Sequence, residues 1–172
     1  MGVTLVTKYN PRWPDWFIKI RRVLEASLGE SYLTIEHVGS TAVPDMIAKP
    51  IIDITIVING SRFGEIKERL AQLGYVHEGD KGIPGREAFD LRDAELRSML
   101  PAHHLYVCAE DSHELKRHLA FRDFLRANRS YAGELSRLKW SLAEEHENDR
   151  QAYMDGKAAL VQEITEMALR EK

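Results

Sequence analysis

The sequence predicts an α/β, or α+β, domain: a mixed β-sheet with flanking helices and a helical C-terminal part. Three observations predict it. The aliphatic run Ile51 to Ile58 has apolar side chains at almost every position, as in a central strand covered on both faces. A segment of helical period, Arg62 to Leu73, separates that run from later strand candidates. From His113 onward the apolar residues recur at helical spacing in three blocks, at about 113–128, 131–147 and 150–170.

The elements follow in order. A first helix is expected from about Pro14 to Leu28, with Ile18, Val23, Leu24 and Leu28 near helical spacing and Gly29 as its stop. Tyr32 to Val38 alternates like a strand, placing Leu33, Ile35 and His37 on one face, and it ends at Gly39-Ser40. Thr41 to Pro50, punctuated by Pro44 and Pro50, is at most a loop with a short helix. Asn59-Gly60-Ser61 closes the aliphatic strand, and Phe63, Ile66, Leu70 and Leu73 mark the connecting helix, stopped by Gly74. Tyr75 to His77, Glu87 to Leu91 and His104 to Cys108 are shorter strands. In the C-terminal part, Tyr131, Leu135, Leu138 and Leu142 form one stripe, and Tyr153, Leu160, Ile164 and Met167 another.

At 172 residues, 44% hydrophobic and 30% charged, the chain supports one core, so a single domain spanning 1–172 is expected. The formal charge of −3 gives no global attraction to nucleic acid or to anionic lipid, and nucleic acid is not the expected partner. One cysteine, Cys108, excludes an internal disulfide, and no CxxC or finger spacing marks structural zinc. With no signal pattern and no apolar run near the roughly 20 residues of a membrane span, a cytoplasmic protein without a membrane partner is expected. Neither a P-loop, a dinucleotide GxGxxG nor a GxSxG elbow occurs. The histidines of His113 to His118 are five apart, not the four that a helical zinc pair needs. Cys108 reads as a small core residue rather than a nucleophile. Composition is silent on oligomeric state.

One charged position stands out. Asp53 interrupts the aliphatic strand, and an ionised carboxylate buried there needs a cation or hydrogen-bond donors. It is either a structural ion pair or a ligand for Mg²⁺, which takes a few carboxylate oxygens together with waters and substrate phosphates. Gly39 allows a close backbone approach, and Ser40 and Thr41 supply hydroxyls and amides suited to a phosphate oxygen. On the C-terminal helices Lys157 falls within an apolar stripe, one turn from Tyr153. Arg122 sits similarly with Leu115 and Leu119, and Lys139 at the edge of the Leu135/Leu138/Leu142 stripe. Their stems either snorkel to water or converge with Lys49 on an anion or on Asp53 itself. His104 shares a face with Tyr106, opposite His103, and beside Asp53 would make a mixed imidazole and carboxylate metal site; His37 is a further pocket candidate.

The stretches HVGSTAVPDMIAKPIID, HHLYV at 103–107, HLAFRDFLR at 118–126, LK at 138–139 and YMDGK at 153–157 resemble the GrpB family over nearly the whole chain. That family is similar to the nucleotidyltransferase superfamily. The resemblance therefore implies a nucleotidyltransferase-like fold, with Gly39 and Ser40 as the turn under a nucleoside triphosphate and Asp53 as the first, catalytic carboxylate on Mg²⁺, with Mn²⁺ or another divalent ion as the alternative. Three departures accompany it. The second acid, expected two residues on, is Thr55; no third acid is evident beyond Asp90 as a candidate; and Pro44-Asp45 replaces a frequent Pro-Gly. The implied function is nucleotidyl transfer to an acceptor. The alternative is a non-catalytic module for a nucleotide or another phosphate compound, linked to coenzyme A metabolism because GrpB-like segments also occur joined to dephospho-CoA kinase.

Overall fold

A computed structural model describes residues 6–147 and 149–171. Contacts divide the chain into two compact units, each assembled from discontinuous segments: Arg12–Val38 with Ile51–Lys116, and Met1–Pro11 with Gly39–Pro50 and Arg117–Lys172. Among the described residues, no helix is long and apolar enough to cross a membrane.

The first unit holds the sheet. Helix α1, Trp13–Leu28, begins with proline in its first turn and buries Trp13, Phe17, Ile20, Leu24 and Leu28, a stripe at i, i+4 and i+7 spacing. The stripe differs from the expected one: Ile18 and Val23 are only half-buried, because Trp13 and Phe17 set its angle. Strands β1 (Thr34–Val38), β2 (Ile52–Ile58), β3 (Tyr75–His77), β4 (Glu87–Leu91) and β5 (His103–Ala109) form one sheet in the order β1-β2-β5-β4-β3. Only β2 and β5 run parallel, so the sheet is mixed, as expected.

Register sorts the side chains by face. Ile52, Ile54, Ile56 and Ile58 alternate with Asp53, Thr55 and Val57, and all four isoleucines are at most 1% exposed. Helix α2, Phe63–Leu73, buries Ile66 and Leu70 and is closed by Gly74. Leu33 lies just outside β1 and is half exposed, although its amide still bonds to Val57. A short helix absent from the sequence reading, α3 (Ala94–Met99), is capped by Asp93, whose carboxylate accepts from the Leu96 amide at 2.8 Å.

Helix α4, His113–Ala127, leaves the sheet unit at Lys116 and continues in the second, helical unit with α5 (Arg129–Glu145) and α6 (Arg150–Arg170). Here Val43 and Met46 of the 39–50 segment share a core with Phe124, Leu125, Leu135 and Ile164. A bridge between Thr7 and Ala48 and a bond from the Ile47 amide to the Ser136 hydroxyl fix that segment. Asp45 has φ of 64°, the left-handed region that favours glycine and tolerates Asp. Its carboxylate is paired with Arg129.

Gly156 shows how tightly α5 and α6 meet, since a Cβ there would lie 2.5 Å from Leu142 Cδ2 and 3.0 Å from Cδ1. Gly156→Ala gains about 1 kcal/mol of helix propensity but loses about 1–3 kcal/mol to overpacking. The expected net result is a destabilisation of about 1 kcal/mol, and a larger one for Gly156→Val, read as a lower urea midpoint at unchanged slope.

Candidate functional site

In the sheet unit the site grows from strand pairing. The parallel register sets Asp53 of β2 directly beside His104 of β5 and, on the other side, beside Val38, the last residue of β1. The Asp53 Oδ1 to His104 Nδ1 distance is 3.0 Å. Asp53 is less buried than the sequence suggests. It is the second residue of its strand, where the sheet ends, and its side chain is 32% exposed, that of His104 55%.

Next along the same face, Thr55 lies between Glu36 and Tyr106. Thr55 is fully buried, and its hydroxyl has no hydrogen-bond partner among the described residues. The Arg86 guanidinium covers the Tyr106 ring at 4.2 Å. Burial, and then the nearby Asp53 carboxylate, raises the Tyr106 phenol above its ordinary value. The opposite face is structural. His37 is buried and stacks on Phe17 with ring centroids 4.8 Å apart, so it belongs to the core face and not to the Asp53 face. His103 is held at both nitrogens: Nδ1 donates to the Pro101 carbonyl at 2.8 Å, and Nε2 accepts from the Tyr75 hydroxyl at 2.6 Å. Burial lowers its pKa, which agrees with a neutral ring.

The helical unit carries the other candidates. Gly39 has φ 75° and ψ −174°, a backbone region essentially restricted to glycine. Ser40–Ala42 then make one 3₁₀ turn in which Thr41 is buried. Lys139 is not at the edge of its helix's stripe but inside it, 5% exposed, between Leu135 and Leu142. Its ammonium donates to the Ser40 hydroxyl and, at 3.4 Å, to the Ile47 carbonyl. Lys49 and Lys157 converge on one buried ring, Tyr153, at 5.5 and 5.0 Å from its centroid. Burial, helped by the neighbouring Arg150 charge, lowers the Lys49 pKa. Arg122 donates from Nε to Asp123 at 2.9 Å.

With respect to a metal, the Asp53 and His104 atoms at 3.0 Å are spaced like adjacent ligands each about 2.1 Å from one ion. The same spacing suits a hydrogen bond from Nδ1–H that fixes the ring and leaves Nε2 outward. Among the described residues, no group of three or more His, Cys, Asp or Glu side chains is arranged to hold an ion. The donor set thus fits a cation that brings its remaining ligands as water and phosphate, and not a closed protein cage.

The family description "GrpB protein" matches residues 3–167. The chain belongs to the GrpB family. It is 33% identical over 165 residues to the glutamate-rich protein GrpB of Alkalihalophilus pseudofirmus, covering 95% of this chain and 94% of that protein. Identity to the UPF0157 protein YqkA of Bacillus subtilis is also 33%, but there the chain spans only 47% of its relative's length. A crystal structure of conserved protein GrpB from Enterococcus faecalis, 32% identical, matches with a TM-score of 0.83 over 97% of this chain and 98% of that one. A Cid1 poly(U) polymerase mutant bound to MgATP matches with a TM-score of 0.56 at 10% identity, over 80% of this chain and 44% of that one. That likeness is one of fold, and the expected nucleotidyltransferase-like fold is present. Dephospho-CoA kinase of Mycobacterium bovis is 37% identical over 70 residues, 38% of this chain and 17% of that enzyme.

Three features of this GrpB-family protein escaped sequence reasoning. Tyr153 as the meeting point of two lysines had a partial signal in the i, i+4 spacing of Tyr153 and Lys157. Arg86 over Tyr106 had none, because the two residues are brought together by pairing of β4 with β5. Arg97 belongs to α3, which the sequence reading did not contain.

Two predictions follow from this geometry. Ser40→Ala removes an acceptor from a buried ammonium and is expected to cost about 1.5–3 kcal/mol in urea unfolding. The buried Cys108 thiol is pushed up to about 11, chiefly by burial, so thiolate is scarce at neutral pH. Iodoacetamide is expected to modify it rapidly only after denaturation, and equal labelling rates of the folded and unfolded chain would contradict its placement.

Proposed function

We propose that this GrpB-family protein binds a nucleoside triphosphate together with a divalent cation and transfers the nucleotidyl group to an acceptor hydroxyl. The observation that carries the reading is the register-matched Asp53 and His104 pair on the polar face of a sheet whose fold is that of a poly(U) polymerase. In this reading Asp53 Oδ2, free of the His104 contact, takes Mg²⁺, while a nitrogen ligand from His104 would favour Mn²⁺ or another transition ion. The cation, when bound, neutralises phosphate charge as it develops. Thr55 brings no second carboxylate from β2, and Glu36 of β1 is the acid that stands across from it on the same face.

Gly39, Ser40 and Thr41 are assigned to phosphate oxygens through backbone amides and hydroxyls, and Lys49, Arg122, Lys139 and Lys157 to the charge of the phosphate chain. The convergence of Lys49 and Lys157 on Tyr153 supports that assignment for those two. In the transfer, the acceptor oxygen attacks the α-phosphorus, the bond to the bridging oxygen breaks, pyrophosphate leaves and the hydroxyl proton passes to water. Such a substrate implies the cytoplasm as the working compartment.

A second reading is a non-catalytic module for a phosphate-bearing ligand, and the match to dephospho-CoA kinase over 70 residues favours coenzyme A chemistry for it.

The test is titration with each nucleoside triphosphate in the presence of Mg²⁺ or Mn²⁺, with pyrophosphate release followed alongside. Transfer predicts release that drops roughly a hundredfold or more in Asp53→Asn, which keeps the side chain's size. A rise in melting temperature with nucleotide or coenzyme A but no pyrophosphate favours the module. Neither release nor a thermal shift with any of these ligands sinks both readings.

A further inference from the structure

A cleft of about 400 Å³ opens in the sheet unit beside the start of β5, within the range of small-molecule sites. Its apolar part is Leu91 and Leu100, both buried, with Ile51 half-buried. Its polar part is Arg97, Asp90 and His104.

These three groups are in unequal states. Asp90 already accepts from Arg92 Nε at 3.2 Å, which leaves its second oxygen open. His104 turns Nδ1 to Asp53, and its Nε2 has no partner among the described residues. The Arg97 side chain has no ion pair or hydrogen bond among the described residues, in the last turn of a six-residue helix pinned by the Asp93 cap. The His103 ring, bonded at both nitrogens, makes a rigid neutral wall. A fixed wall, an apolar floor, an unpaired guanidinium, an outward imidazole nitrogen and an open carboxylate oxygen form a preorganised set of mixed polarity.

We propose that this cleft is a binding site for a small organic anion that also carries a hydroxyl or amine. Arg97 takes the carboxylate or phosphate through its forked donors. His104 Nε2 and Asp90 meet the hydroxyl or amine, and the carbon body lies over Leu91 and Leu100. Because His104 belongs to both the cleft and the Asp53 pair, this anion is the acceptor in nucleotidyl transfer; that last step rests on the function proposed above, whereas the binding does not.

The experiment uses the full chain labelled with ¹⁵N, without nucleotide or metal, titrated at millimolar concentration with glycerol 3-phosphate in one arm and 4-hydroxybenzoate in the other. Dose-dependent shifts of the His104 ring and Arg97 Nε signals are expected with at least one probe, and which probe acts tells phosphate from carboxylate. Arg97→Met, which breaks no existing contact, is expected to weaken binding about tenfold or more. Ala102→Trp, placing a bulky ring at an exposed lining position without altering charge, is expected to abolish it. No shift with either probe, or undiminished binding in either variant, overturns the proposal. Success here with failure of every nucleotide titration leaves the cleft standing and removes only its role as acceptor site.

Discussion

The whole arrangement depends on where a carboxylate is tolerable in a buried strand. β2 is an inner strand whose residues are buried from Ile54 to Ile58, and only its second position keeps part of its side chain in water. Asp53 occupies that position and has His104 beside it at 3.0 Å. Two residues further in, Thr55 is fully covered, and an unpaired ionised acid there would cost several kcal/mol. A neutral hydroxyl left without a partner costs about 1–3 kcal/mol, which a fold of ordinary stability can carry. That β2 itself carries a single acid is thus consistent with burial increasing along the strand, while Glu36 of β1 stands across from Thr55 on the same face.

The helical unit resolves a parallel problem of buried cations in two ways. Lys139 sits in the middle of an apolar stripe and is satisfied through hydrogen bonding to Ser40 and the Ile47 carbonyl, an arrangement that also ties α5 to the 39–50 segment. Lys49 and Lys157 use the face of one buried tyrosine, worth about 0.5–1 kcal/mol for each cation at an exposed site. Burial first, and then the neighbouring Arg150 charge, disfavours the ammonium form of Lys49. Positive charge concentrated in this manner is neutralised most effectively by an anion.

Much of the fold was legible because period and punctuation agree. The four strongest helices carry stripes ended by glycine, proline or a polar turn, and β2 announces itself by four isoleucines at alternate positions. Helix α3 stayed hidden because six residues are too few for a stripe, although Asp93 was there to cap it. The site was legible only where chemistry is local. Asp53 stands out as the one acid in an aliphatic run, and Gly39 as a turn. The partners that decide what each residue does were not: Ser40 lies 99 positions from Lys139, and Phe17 meets His37 only through the packing of α1 on the sheet. Amphipathic reading also set Lys139 at the edge of its stripe and left open whether it reaches water or an anion, whereas it lies inside the stripe and donates to the Ser40 hydroxyl.

Fold likeness and site chemistry part company in this protein. At 10% identity the likeness to a nucleotide polymerase is one of backbone fold, which does not require particular polar side chains. What a site does to a phosphate is fixed by how much negative charge it places beside the bound cation and how much positive charge beside the phosphates. Here β2 offers one carboxylate, Asp53, with the His104 imidazole beside it on β5 and Glu36 of β1 across from Thr55 on the same face. An imidazole also differs from a second acid in having two distinct nitrogens. Nδ1 faces Asp53 at 3.0 Å and Nε2 faces away from it, so one ring can hold a partner on each side at once. A carboxylate in its place would bring a second negative charge and no donor, whereas the imidazole orients the Asp53 carboxylate and still presents a nitrogen toward the start of β5.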